Sequence, residues 1–129
     1  MKEHEIISAI QQSAGIDSTE HAARATRATL EVLGARLAGG APANLAGQLP
    51  PALARALPTS GPGERFGVHE FYRRVSEREG CPDHQARQHA RAVLAALRAS
   101  LTGEEYQHLA AQLPDEYADL LGTEPVRHH

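Results

Sequence analysis

The chain has 129 residues, a formal net charge of −3, 22% charged and only 4% aromatic residues, and a single cysteine, Cys81. One cysteine excludes an intramolecular disulfide scaffold, and the negative balance argues against a nucleic-acid binder that relies on bulk electrostatics. The length fits one domain of about 100–200 residues, enough to bury roughly two-thirds of the unfolded surface.

Ala, Leu, Arg and Glu dominate while strand-favouring types are sparse, which predicts an all-α protein. The opening stretch MKEHEIISAI is charged at once and carries no apolar leader segment. No apolar run approaches the about 20 residues of a membrane span. A cytoplasmic protein without membrane contact is expected.

In chain order, Ile6, Ile7 and Ile10 at helical spacing predict a first helix over residues 3–14, ended by Gly15. Asp17, with Glu20 three residues on, is the expected cap of a long helix over 18–38, whose stripe is Ala22, Leu30, Leu33 and Leu37. Gly39-Gly40-Ala41-Pro42 weakly opens a third helix, and Gln48-Leu49-Pro50 ends it, with Pro50 expected at the first position of a fourth helix over 51–57. Thr59-Ser-Gly-Pro-Gly63 marks a linker over about 59–65. The second set runs over 68–79 (Phe71, Tyr72, Val75, ended by Gly80), 83–101 (Ala86, Ala90, Val93, Leu94, Leu97, Leu101), 103–112 and 115–121. Pro82 and Pro114 are expected at first helical positions, and Thr102 with Glu105 forms a capping box.

The two sets share a register. Gln48-Leu49-Pro50 meets Gln112-Leu113-Pro114 at an offset of 64, as do Leu30, Leu33, Leu37, Leu45 and Leu57 with Leu94, Leu97, Leu101, Leu109 and Leu121. Before the turn the offset is 65, pairing Gly15 with Gly80 and His4-Glu5 with His69-Glu70. This predicts two tandem four-helix repeats, residues 4–58 and 68–122, packed as one pseudo-twofold helical domain over 1–129.

The stretches ATLEVLGARLAGG…NLAGQLP and FGVHEFYRRVSEREG…ARAVLAALRASLTGEEYQHLAAQLPDEYADLL resemble the bacterial family catalogued as domain of unknown function 2267. The resemblance covers residues 4–121 and implies a small all-helical bacterial protein. The family name carries no activity, so no catalytic residue transfers.

Eight histidines raise the question of a metal, since imidazole is the commonest ligand. Helical sites place ligands at i, i+3 or i+4. Neither His4 nor His69 has a second histidine at that spacing, and His84 and His89 are five apart. Glu104 with His108 is the nearest ligand pair, and His89, which stands where the first repeat has Ala25, is the one histidine bordering the apolar stripe. The expectation is no metal and no cofactor, with His89, His108 and Glu104 as the candidates if one exists, and His128-His129 as a frayed tail. His89 reads either as a ligand aimed into a cleft between the repeats or as a boundary histidine satisfied by a neighbouring carboxylate. Cys81 precedes a helix start, a place that can activate a thiol, but it matches Ile16 and is expected to be a small buried hydrophobe. The run Arg73, Arg74, Arg78, Arg87, Arg91 and Arg98 is interleaved with Glu70, Glu77, Glu79 and Asp83, the composition of a solvated, salt-bridged face.

No nucleotide, nucleophile-elbow, paired-cysteine or calcium-loop motif occurs. The expected function is therefore a non-enzymatic helical interaction or regulatory module that binds a protein partner. The alternative is a small-ligand or metal-binding protein that uses the cleft between the repeats.

Overall fold

The computed structural model describes residues 2–58 and 63–122, and among them there is no strand. The elements are α1 (Glu3–Ala14), α2 (Thr19–Arg36), α3 (Ala41–Ala46), α4 (Pro51–Ala54), α5 (Val68–Glu79), α6 (Asp83–Ser100), α7 (Gly103–Ala111), a 3-10 turn (Asp115–Tyr117) and α8 (Ala118–Leu121). Residues 59–62 of the expected linker, and His128 and His129, lie outside the described residues. No helix among them is long and apolar enough to cross a membrane.

α1 and α5 occupy the ranges their apolar spacing predicts. Both end on a left-handed glycine, Gly15 at φ 67° and Gly80 at φ 76°, a conformation a side chain resists. The capping box of α7 is formed as expected: Glu105 N–H donates to Thr102 Oγ1 (3.1 Å) and Thr102 N–H to Glu105 Oε1 (2.8 Å). Three expectations need correction. The cap of α2 is Ser18, whose Oγ accepts from His21 N–H at 3.1 Å, and Asp17 stays in the turn. Ile16 turns into the core there, so the helix opens one residue later. Pro50, Pro82 and Pro114 sit one position before the first helical residue, with ψ of 145°, 154° and 167°. A ring-fixed φ suits that extended cap position equally well. The fourth helix of the first half stops at Ala54, short of the expected 57, whereas its counterpart fills 115–121 with a 3-10 turn running directly into α8.

The long helices α1, α2, α5 and α6 build the core, and the pairing crosses the halves: α1 packs on α2 and α6, and α2 packs on α1, α5 and α6. Ile6, Ile10, Leu30, Leu33, Phe71, Val75, Leu94 and Leu97 are fully enclosed. Ala22, Ala25, Ala86 and Ala90 lie among them without exposure and bring the helix axes close. Two buried threonines are satisfied within α2, Thr26 Oγ1 donating to Ala22 O (2.7 Å) and Thr29 Oγ1 to Ala25 O (2.8 Å). Leu49 and Leu113, the apolar residues of the two Gln-Leu-Pro corners, are buried as expected.

The C-terminal segment fastens α5 and α6. Gly67 offers no side-chain cap, and Val68 N–H instead donates to Glu116 Oε1 at 2.6 Å. A Cβ on Gly67 would fall 2.3 Å from that oxygen, so a larger residue would push the Glu116 carboxylate out of this bond. Tyr117 Oη donates to Phe66 O at 2.7 Å, and Arg36 Nε reaches the same carbonyl at 2.9 Å. Asp119 accepts from Tyr72 Oη (2.6 Å) and from Arg87 through Nε (2.9 Å) and Nη2 (2.7 Å).

Leu33→Ala and Leu97→Ala should each destabilise by about 2–5 kcal/mol through lost burial and a residual cavity, read as lowered urea midpoints. Gly34→Ala should also destabilise, because its Cβ would sit 2.4 Å from Pro58 Cδ, whereas Gly40, with nothing within 4 Å, should tolerate the same change. The Arg87 guanidinium, followed by the Tyr72 hydroxyl, holds the Asp119 carboxyl at about 2 against its ordinary 3.8. A depressed carboxyl stabilises fully above its ordinary value and loses that contribution as pH falls through the folded one. Asp119→Asn should therefore flatten the loss of stability between pH 3.8 and about 2, measured by denaturant titration at each pH.

Candidate functional site

Two features stand out once the core is set aside. The first is a groove of about 600 Å³ between the two Gln-Leu-Pro corners. One wall is the α2–α3 loop and α3, with Leu45 and Gln48. The other is Leu101 and α7, with Leu109 and Gln112. Leucines form its apolar part, small residues (Ala38, Gly39, Gly40, Ala111) keep it open, and amides line its rim.

The second is a polar cluster inside the seam where α2 meets α5 and α6. The Ser18 cap sets the first turn of α2 and with it His21. The left-handed Gly80 ends α5 directly after Glu79, and α6 presents His89. His21 Nε2 lies 3.1 Å from Glu79 Oε1, and His89 Nδ1 contacts the same oxygen. The two imidazoles are 5.4 Å apart and perpendicular, at 89°. Side-chain exposure is 0% for Glu79, 6% for His89 and 26% for His21, so the cluster is reached from solvent past His21. Glu79 Oε2 is buried without a hydrogen-bond partner. An unsatisfied buried acceptor of this kind costs about 1–3 kcal/mol, and more when it is charged.

His89 therefore meets a carboxylate, and it also meets a histidine from the other half of the chain. Glu104 and His108 are exposed on α7, His108 on the wall of the groove, and neither joins a ligand cluster with His89 among the described residues. His4, His69 and His84 are exposed as well. Sequence reasoning missed Glu79 and His21. Glu79 was discoverable by the signal that exposed His89: 65 residues earlier the chain has Ala14. His21 had no such signal, because its partners come from helices far along the chain.

Cys81 is half-buried against the core cluster, and Ser76 Oγ donates to its carbonyl. Burial, and after it the Glu79 carboxylate charge, push its thiol up to about 11. The helix start does not activate it. Much of the arginine-rich run is salt-bridged: Arg73 contacts Glu70 and Glu77, Arg74 contacts Glu70 (2.9 Å) and Glu64 (3.3 Å), and Arg78 reaches Glu31 on α2 (3.4 Å). Such exposed pairs contribute about 0–1 kcal/mol each.

The architecture is that of a small all-helical protein with a polar seam inside a helical core. The chain belongs to the family described as uncharacterized conserved protein DUF2267, whose profile matches residues 3–120. A comparison with curated proteins finds no match.

Cys81 should label slowly with a maleimide or Ellman-type reagent in the folded protein near neutral pH, since only a small fraction is thiolate when the thiol titrates at about 11. Labelling as fast as in the urea-unfolded chain would contradict the burial that raises it.

Proposed function

We propose that this chain is a non-enzymatic, cytoplasmic interaction module, two tandem four-helix units packed about a pseudo-twofold axis, that binds a helical segment of a protein partner. The observation that supports this reading is the groove between the corners. Its walls carry residues in the same register of both units: Leu45 faces the wall of Leu109, and Gln48 that of Gln112. An amphipathic helix suits such a cleft, with an apolar stripe for the leucines and polar flanks for the rim amides. The small residues along one lip permit close approach of the incoming backbone.

The test is selection of peptides from a helical display library against the purified protein. Amphipathic sequences should be recovered, and their binding should be lost in Ala111→Arg, which fills the groove from an exposed position at the end of α7. If no peptide is recovered, or if the recovered peptides bind the variant equally well, the reading fails.

A further inference from the structure

We propose that His21, Glu79 and His89 form a binding site for one first-row transition-metal dication of the zinc class, held across the seam between the two halves. This inference is independent of the protein-binding reading, since it rests on different residues in a different place.

Three observations carry it. First, one ligand atom from each of the three side chains lies within 4.8 Å of the other two. Two imidazole nitrogens and a carboxylate oxygen are a donor set that suits zinc, cobalt or nickel. Calcium and magnesium prefer an all-oxygen shell, which this site does not offer. Second, both imidazoles crowd onto Glu79 Oε1 while Oε2, equally buried, has no partner. A purely hydrogen-bonded cluster gains by spreading two donors over two oxygens. Convergence of three ligand atoms on one point, with a carboxylate oxygen in reserve, is what a metal requires. Third, the fold does not need these polar groups. In the register of the repeat, Glu79 and His89 correspond to Ala14 and Ala25, and Ala25 packs there without exposure.

The surroundings fit the same role. His21 Nδ1 faces the exposed Asp17 carboxylate at 4.0 Å, so a small side-chain rotation would fix the imidazole with Nε2 turned inward. The partial exposure of His21 leaves a coordination position open to water or to a small anion. Ligation uses neutral imidazoles and the carboxylate, so binding releases any proton the cluster carries.

The experiment uses the full chain carrying His128→Ala and His129→Ala in every form, so that the terminal pair contributes nothing. After chelator treatment the protein is titrated with zinc chloride by calorimetry and with cobalt(II) by visible absorption, and its thermal unfolding is followed with each ion. One equivalent should bind, raise the unfolding temperature and give a low-symmetry cobalt spectrum. The double variant Glu79→Ala/His89→Ala restores the alanine pair of the first half and should fold with unchanged helicity, yet bind more than about tenfold more weakly, a loss already seen when only a partner of a ligand is removed. His21→Gln, which installs the residue found at the corresponding Gln85, should do the same and decides the matter if the double variant fails to fold. Absence of binding, binding undiminished in these variants, or equal affinity for magnesium or calcium would each overturn the site.

Discussion

The structure depends on α1 and α2 closing their core against α5 and α6 rather than against each other alone. Each half has two long helices, and two helices cannot enclose the side chains on both of their inward faces. The alanines at the crossings matter as much as the leucines between them. With Ala22, Ala25, Ala86 and Ala90 at full burial, the helices approach closely enough for Leu30, Leu33, Leu94 and Leu97 to be enclosed from both halves. The short helices act on that arrangement from outside. α4 lies against α2, α7 and α8 lie against α6, and the two Gln-Leu-Pro corners that follow α3 and α7 bury Leu49 and Leu113.

The polar seam takes its character from the same closeness. Glu79 is a carboxylate with no solvent exposure; the other buried polar side chains among the described residues are His89, which contacts it, and two threonines satisfied by their own helix. Desolvating a charge is far more expensive than desolvating a hydroxyl, and what faces Glu79 is two imidazoles and the neighbouring Cys81 thiol. The contrast with Asp119 is instructive. That carboxylate sits at the edge of the core and receives three donors, two from one guanidinium and one from a phenol. Its partners match its oxygens, and its acidity is raised accordingly. Asp119 reads as a fastener of α8 to α5 and α6, whereas Glu79 has an oxygen in excess of what a fastener uses.

Local features were legible in the sequence, and features assembled from several helices were not. α1 and α5 follow from isoleucine and aromatic spacing closed by Gly15 and Gly80, and the α7 start follows from Thr102 and Glu105, because each signal is complete within about one turn. Ser18 displaced Asp17 as a cap because burial of Ile16, a tertiary event, decides where α2 opens. The shortness of α4 has the same origin: Pro58 must lie against Gly34, so the chain leaves the helix early. The departure of His89 from Ala25 was visible, but a search for ligand pairs at i, i+3 and i+4 looks along one helix. This cluster takes one residue from each of three helices.

The bond from Val68 N–H to Glu116 Oε1 spans 48 residues and has a bearing on biosynthesis. On a ribosome adding about 5–20 residues per second, α5 emerges seconds before the carboxylate that terminates its first turn. The contacts of Tyr117 with Phe66 and of Asp119 with Tyr72 wait for the same short stretch. The nascent second half therefore holds α5 and α6, the former with an open N-terminal end, until residues 116–119 have left the exit tunnel. The first half, released earlier, offers α1 and α2 as a surface on which those helices can be kept until closure. Truncation shortly before residue 116 would leave a chain with nearly all of its hydrophobic residues and none of these three latches, a form that cellular proteases are well placed to remove.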